Sequence, residues 1–167
     1  MRGVFEALKR LSSECDRFTG VVLNHNSVFD ATGGRKARIL VVDDNDNNRE
    51  IVQAYLSDSG YRVDTVDNAT EAIRLLQKDR YDLVLMDIQM PVMDGVTATR
   101  CIRALPNAVK DISIIAMTAN VLPQQVKSYL DAGMNAHVGK PFDHSKLRNS
   151  VRRWLPSTVD QECERRA

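Results

Sequence analysis

Residues 83–95 read LVLMDIQMPVMDG, and this stretch decides the fold. The apolar run Leu83–Met86 has the length and composition of a strand that is buried on both faces. Asp87 follows this run directly, and a loop containing Pro91 and Gly95 comes next. The pattern therefore predicts a buried strand that presents one carboxylate at its carboxyl end.

Three other apolar segments are also followed at once by polar side chains. They are Ile39–Val42 before Asp43 and Asp44, Ile114–Met117 before Thr118, and Ala136–Gly139 before Lys140. If these segments are neighbouring parallel strands, their polar groups converge in one crevice at the carboxyl edge of a sheet. Three carboxylates, a hydroxyl and an ammonium in one crevice indicate a site for a divalent cation and a phosphoryl group.

Segments with helical signals separate the apolar runs. The patterns predict strands over 39–42, 61–66, 83–86, 112–117 and 136–138, and helices over 46–58, 68–78, 95–104, 123–133 and 145–154. The inner side of the first helix is predicted to carry Ile51, Val52, Tyr55 and Leu56. Such alternation predicts an α/β fold with a doubly wound, five-stranded parallel sheet and helices on both faces.

The composition favours a cytoplasmic protein. The chain has 23 Lys and Arg residues against 22 Asp and Glu residues, so no general attraction to nucleic acid or membranes is expected. Cys15, Cys101 and Cys163 are too scattered for a disulfide framework or a metal knuckle. No apolar stretch approaches the about 18 residues of a membrane span.

The chain divides into three parts of different character. Residues 1–36 form an N-terminal extension that ends in a glycine-containing linker, residues 37–156 form the α/β domain, and residues 157–167 form a polar tail. The extension is too short to bury a core alone, so we expect the domain to fold without it. It carries an amphipathic stripe of Val4, Phe5, Leu8 and Leu11, for which two roles stay open: docking on the α/β domain or pairing with a second copy. We therefore expect a monomer or weak dimer.

The polar residues also have plainer interpretations when they are taken singly. Residues 43–48 read DDNDNN, which is a good helix-start signal. They do not form an EF-hand, because Asn48 and Ala54 stand where that loop needs Gly and Glu. A lone Thr118 is typical of a cap, and a lone Lys140 of a solvated charge. Only the joint arrangement is improbable by chance.

Four motifs together resemble the receiver domain of two-component response regulators. They are VVDDN at 41–45, LMDIQMPVMDG at 85–95, AMTA at 116–119 and GKPF at 139–142. Their order and spacing fit that family over residues 38–155. Within the family, the motifs most resemble the receivers of hybrid histidine kinases and of stand-alone regulators. The resemblance implies a flavodoxin-like strand order, 2-1-3-4-5, and a cis peptide bond between Lys140 and Pro141.

The resemblance also implies a role for each matching residue. Asp87 is the expected phosphoacceptor, Asp44 a direct Mg²⁺ ligand, Asp43 a helper through water, the backbone carbonyl of Gln89 a further ligand, and Thr118 and Lys140 the groups that contact the phosphoryl group. A carboxylate attacks phosphorus only if the negative charges are offset. Mg²⁺ and Lys140 supply that compensation, and little other chemistry is needed.

One position departs from the family pattern. His137 stands three residues before Lys140, where the family usually carries Tyr or Phe that turns inward on activation. Thr118 and His137 are therefore the predicted switch residues. A histidine there packs more weakly than Tyr or Phe and can change charge near neutrality.

The leading hypothesis is a stand-alone response regulator that signals by protein–protein contact and catalyses only its own phosphorylation and dephosphorylation. Its implied partners are a histidine kinase or histidine phosphotransfer protein and a downstream protein target. A second hypothesis is a receiver fragment of a hybrid histidine kinase or multi-domain regulator. A remote third hypothesis is a haloacid-dehalogenase-type phosphatase, suggested by Asp44-Asn45-Asp46. The rest of that motif is missing.

Overall fold

The computed structural model describes residues 36–155. Five strands alternate with five α-helices in this range. In chain order they are β1 Arg38–Val42, α1 Asp46–Asp58, β2 Arg62–Val66, α2 Ala69–Lys78, β3 Leu83–Asp87, α3 Gly95–Arg103, β4 Ser113–Thr118, α4 Pro123–Asp131, β5 Ala136–Gly139 and α5 His144–Trp154. A short 3-10 helix, Ala108–Asp111, precedes β4.

The strands are parallel and form one sheet in the order β2-β1-β3-β4-β5. The predicted fold class and strand order are therefore confirmed. In the sheet register Val42 lies beside Met86, and Asp87 lies beside Met117. The residues at the carboxyl ends of β1, β3 and β4 thus meet at one edge.

The strand side chains fill two separate cores, one on each face of the sheet. Leu40, Val84 and Ile114 belong to the core covered by α2 and α3. The intervening strand residues belong to the core covered by α1 and α5. Successive strand residues point to opposite faces, so a strand with a core on each side is apolar throughout. This explains the unbroken apolar runs of β1 and β3.

Side-chain caps determine where four of the helices begin. Asn45, Asn68, Asp94 and Asp143 each accept a hydrogen bond from a backbone N–H in the first turn of the following helix. Replacing such a cap by Ala typically costs about 1 kcal/mol. α4 begins differently, with Pro123 in its first turn. The cap that follows β1 also shapes the loop that holds the acidic pair.

One detail of the predicted first helix is wrong. Ile51 was expected on the inner side with Val52 and Leu56, but it is 42% exposed. Val52 and Leu56 are one turn apart and fully buried, whereas Ile51 is turned about 100° away from Val52 by the helical period.

Several sequence features lie outside the described residues. These are the predicted extension up to residue 35, with its apolar stripe, and the tail from residue 156. Within 36–155, no helix has both the length and the apolar character needed to cross a membrane.

Candidate functional site

Three carboxylates meet at the carboxyl edge of the sheet. Asp43 and Asp44 follow β1, and Asp87 is the last residue of β3. One oxygen atom from each side chain lies within 4.8 Å of the other two. Asp43 and Asp87 are buried, with 0% and 4% exposure, whereas Asp44 is exposed. The cluster therefore opens to solvent on the side of Asp44.

Lys140 bridges the two buried carboxylates. Its Nζ atom lies 2.7 Å from Oδ2 of Asp43 and 2.9 Å from Oδ2 of Asp87. The residue comes directly after β5, and the Lys140–Pro141 peptide bond is cis, as predicted. Three carboxylates and one ammonium leave a formal charge of −2 when all are ionised, which is the charge that a divalent cation balances.

The burial of these groups shifts their pKa values. Burial raises the pKa of Asp87; the hydrogen bond from Lys140 opposes this rise, and the charge of Asp43 adds to it. Burial lowers the pKa of Lys140, but hydrogen bonds to Asp43 and Asp87 outweigh this effect and raise it. Lys140 thus stays protonated, while the ionised form of Asp87 gains from any additional cation in the crevice.

Asp43 is held in place by the start of α1. Its Oδ1 atom accepts hydrogen bonds from the backbone N–H of Asn45 at 2.9 Å and from the amide Nδ2 of Asn48 at 3.1 Å. Asn48 is therefore a site residue that the predicted set did not include. An amide in the first turn after an acidic pair is a signal that could have suggested it.

The loop after β3 approaches Asp87 closely. The backbone N–H of Gln89 donates to Oδ1 of Asp87 at 3.3 Å, which is a long hydrogen bond. A Cβ atom at Gly95 would lie 2.1 Å from the carbonyl oxygen of Asp87. Only glycine therefore allows α3 to begin against the end of β3, and this explains the glycine in the decisive stretch.

Thr118 ends β4 and is 3% exposed. Its hydroxyl donates to the carbonyl of Asn120 at 3.0 Å and accepts from the N–H of Asn120 at 3.0 Å. The hydroxyl of Tyr129 in α4 lies 3.2 Å from Oγ1 of Thr118. Tyr129 is not predictable as a site residue from the sequence, because no local pattern links residue 118 to a helix residue further along the chain.

His137 lies apart from the carboxylates. It is exposed in β5, and it lines a cleft of about 450 Å³ with Lys140 and Lys146. The hydrogen-bond partners found for the Thr118 hydroxyl within 36–155 are Asn120 and Tyr129. The two predicted switch residues therefore share no hydrogen bond in this part of the chain.

Comparison with known proteins identifies this arrangement. The family model described as the response regulator receiver domain matches residues 39–152, which is more than half of the chain. The chain belongs to the response regulator receiver family. The strand order and the acidic cluster of this receiver agree with that assignment.

Two of the similar proteins are sensor kinases. The sensor protein GacS of Pseudomonas syringae pv. syringae is 38% identical over 122 residues, which cover 72% of this chain and 14% of GacS. A receiver domain of a sensor histidine kinase from Pseudomonas aeruginosa, solved with a magnesium ion coordinated in its active-site cleft, is 42% identical with a TM-score of 0.66; the match covers 71% of this chain and 97% of that one.

A third similar protein was solved in a complex. It is the receiver domain of Ssk1 from Saccharomyces cerevisiae, co-crystallised with the histidine phosphotransfer protein Ypd1. The two chains are 25% identical with a TM-score of 0.65, and the match covers 72% of this chain and 89% of that one. The chain spans less than one fifth of the length of curated relatives such as GacS, at 14%, and a probable histidine kinase of rice, at 16%.

The residues of the crevice fit a magnesium ion. Mg²⁺ prefers hard oxygen ligands and usually takes only one or two protein carboxylates, keeping several waters. Asp44 and Asp87 offer such oxygens close together, on an open side of the cluster where waters can remain. The excess negative charge beside Lys140 agrees with a divalent rather than a monovalent cation.

The family assignment leaves no support for the phosphatase hypothesis. The acid that it required, Asp46, forms an ion pair with Arg49 in the first turn of α1. Asn45, between the two acids of that motif, caps the same helix. Asn45 and Asp46 thus serve as a helix cap and a surface ion pair at the start of α1.

Proposed function

We propose that this receiver accepts a phosphoryl group on Asp87 from a phosphohistidine donor, with Mg²⁺ as its cofactor, and signals by protein–protein contact. The observation that supports this most directly is the contact of Lys140 with both buried carboxylates, beside the exposed Asp44. A buried carboxylate with a fixed cation on one side and a solvent opening on the other is suited to accept an anionic group.

The chemistry follows from the contacts of Asp87. Oδ2 is held by Lys140 at 2.9 Å, whereas the hydrogen bond that Oδ1 accepts within residues 36–155 is the long one from Gln89. Oδ1 is therefore the oxygen free to form the new P–O bond while the P–N bond of the donor breaks and the imidazole leaves. Mg²⁺, held by Asp44, Asp87 and the backbone carbonyl of Gln89 with Asp43 acting through water, would offset the phosphoryl charge. Lys140 and Thr118 contact the transferred phosphoryl oxygens.

The proposed donor is a histidine kinase or a histidine phosphotransfer protein, by analogy with the complex of Ypd1 with the Ssk1 receiver. The proposed output is contact with a downstream protein. The chain acts either as a stand-alone regulator or as the receiver part of a hybrid histidine kinase or multi-domain regulator. We further propose a cytoplasmic location, a monomer or weak dimer, and a boundary near residue 36 between extension and receiver.

Transfer from a P–N bond tests this function. The protein is incubated with phosphoramidate and Mg²⁺, and intact-mass spectrometry follows the gain of one phosphoryl group. We expect one phosphate that is labile to acid, to base and to hydroxylamine, as an acyl phosphate requires. Absence of any mass gain in folded protein with Mg²⁺ present would contradict the proposal.

The two acids after β1 are expected to differ in their effect on Mg²⁺ affinity. Asp44→Asn removes an exposed direct ligand and should weaken binding on the order of a hundredfold, whereas Asp43→Asn should weaken it about tenfold, as for a residue acting through water. Calorimetric titration of each folded variant with MgCl₂ measures both. A larger loss for Asp43→Asn would reverse the assigned roles.

Thr118 is expected to transmit the phosphorylated state without being needed for phosphate acceptance. Its hydroxyl can contact a phosphoryl oxygen only when one is present, and this differential contact can shift a conformational equilibrium. With beryllofluoride as the phosphoryl mimic, amide chemical shifts should change in α4 and β5 of the wild type. In Thr118→Ala the changes should remain only around Asp87. Equal changes in α4 for both proteins would exclude this role.

A further inference from the structure

Tyr129 is a buried tyrosine whose hydroxyl serves the site from a neighbouring helix. The residue is 4% exposed and packs in the core that also contains Ala116 and Met134. Its Oη atom lies 3.2 Å from Oγ1 of Thr118 and donates to Oε1 of Gln125 at 3.1 Å. We propose that Tyr129 is a positioning residue, which holds the Thr118 hydroxyl towards α4 and so sets the cost of turning it to the phosphoryl group.

The number of protons in this group of atoms supports the proposal. A threonine hydroxyl has one proton to donate, and so has a tyrosine hydroxyl. Oγ1 of Thr118 is within hydrogen-bond distance of the carbonyl of Asn120 and of Oη of Tyr129. When Thr118 donates to a phosphoryl oxygen instead, it must give up its present acceptor, and a hydroxyl that turns away also leaves Tyr129 without this contact.

Gln125 gives Tyr129 an alternative partner. The amide lies one turn before Tyr129 in α4 and is itself exposed. When Tyr129 donates to Oε1 of Gln125, its proton is not used on Thr118, and the loss of Thr118 costs Tyr129 less. Tyr129 and Gln125 therefore have opposite effects. The tyrosine hydroxyl favours the position of Thr118 near α4, and Gln125 weakens that preference.

The same contacts indicate which element responds first when Thr118 turns to a phosphoryl group. That element is α4, through Tyr129, and not β5, through His137. His137 is exposed, and within 36–155 it forms no hydrogen bond with Thr118. Tyr129 combines a buried ring in the α4 side of the core with a polar atom on Thr118. A change of Thr118 is thus felt first by a residue that anchors α4.

The test uses the full chain and measures beryllofluoride affinity at saturating Mg²⁺ by ¹⁹F NMR or calorimetry; it rests on the proposed function, because the mimic must bind at Asp87. Tyr129→Phe keeps the buried ring and removes the hydroxyl. We expect beryllofluoride to bind about threefold to tenfold more tightly, as the loss of one hydrogen bond implies. Mg²⁺ affinity in the absence of beryllofluoride should not change, whereas a general effect on the fold would alter both.

Two further variants make the result specific. Gln125→Ala, on the surface of α4, should act in the opposite direction and weaken beryllofluoride binding about twofold to threefold. In a Thr118→Ala background, Tyr129→Phe should have no effect, because the hydroxyl that it releases is gone. Tyr55→Phe is the control, since Tyr55 contacts His144 between α1 and α5, away from Thr118.

Each outcome is decisive. Unchanged or weaker binding by Tyr129→Phe overturns the proposal, as does tighter binding that persists in the Thr118→Ala background. Opposite effects of the Tyr129 and Gln125 variants that both depend on Thr118 support it. Failure of the wild type to bind beryllofluoride overturns instead the proposed function itself, so the two failures are distinguishable.

Discussion

Asp87→Asn is expected to abolish phosphorylation by phosphoramidate or acetyl phosphate, and to abolish beryllofluoride binding. An amide at this position cannot form an acyl phosphate, and its oxygen carries no charge to attack phosphorus. The measurement is the fraction of protein that gains one phosphoryl mass at saturating Mg²⁺. The wild type should approach full modification under the same conditions, and the variant should show none.

The matched control for this substitution is Asp94→Asn. Asp94 lies in the loop that follows Asp87 and caps α3 by accepting from the N–H of Thr97 at 2.7 Å. Asparagine is about as good an N-cap as aspartate, so this variant should fold and be phosphorylated like the wild type. A phosphoryl group that persists in Asp87→Asn would point to Asp43 or Asp44 as the acceptor and would contradict the assigned role.

Asp87→Asn also distinguishes a loss of phosphorylation from a loss of the folded state. Asp87 lies beside Asp43, and the two buried carboxylates repel each other. Removing one charge should leave Asp87→Asn at least as resistant to heat as the wild type in metal-free buffer. A thermal melt with a chelator checks this. Loss of phosphorylation together with a retained or raised Tm is the expected combination.

The strands and the parallel sheet could be predicted because their signals are local and strong, whereas the strand order followed from the family resemblance. A strand segment buried on both faces must be apolar throughout, and Ile39–Val42 in β1 and Leu83–Met86 in β3 satisfy this. The polar residue at each strand end then follows directly in the sequence, as Asp43 and Asp87 do. Parallel strands in register bring such ends together without any further information.

The contacts that tune the site were not predictable in the same way. Tyr129 reaches Thr118 only because α4 packs on the sheet at a particular rotation, and the helical pattern of residues 123–131 does not specify that rotation. The apolar pattern of α1 likewise left the orientation of Ile51 undetermined within one helical step, and it was assigned to the wrong side. Local periodicity defines which elements form, whereas side-chain contacts between elements depend on their packing angles.

Lys140→Met is expected to produce the largest loss of stability among single substitutions at the site. Methionine keeps the length of the side chain but removes the ammonium between Asp43, which is fully buried, and Asp87. Breaking a buried pair from one side leaves uncompensated charge. We expect the free energy of unfolding in chelator to fall by about 2 to 4 kcal/mol, somewhat below the usual range because the lysine side chain is partly exposed.

Lys127→Met is the control for the loss of a lysine charge. Lys127 pairs with Asp131 one turn away in α4, and both side chains are mostly exposed, at 75% and 59%. Such a surface pair contributes little, so the free energy of unfolding should change by no more than about 0.5 kcal/mol. Urea denaturation of both variants and the wild type, under identical conditions, gives the comparison.

Rescue experiments establish that repulsion between the carboxylates causes the loss. Mg²⁺ binds the folded crevice and not the unfolded chain, so saturating MgCl₂ should restore part of the stability of Lys140→Met. The double variant Lys140→Met with Asp87→Asn should recover most of it even in chelator. Of the cluster's two buried carboxylates only Asp43 then keeps its charge, and Asn48 still donates to it. A double variant as unstable as Lys140→Met alone would show that the lysine acts through packing. Recovery in both experiments would establish that Lys140 stabilises the fold by compensating the negative charge of Asp43 and Asp87, the charge that also suits the crevice to a divalent cation.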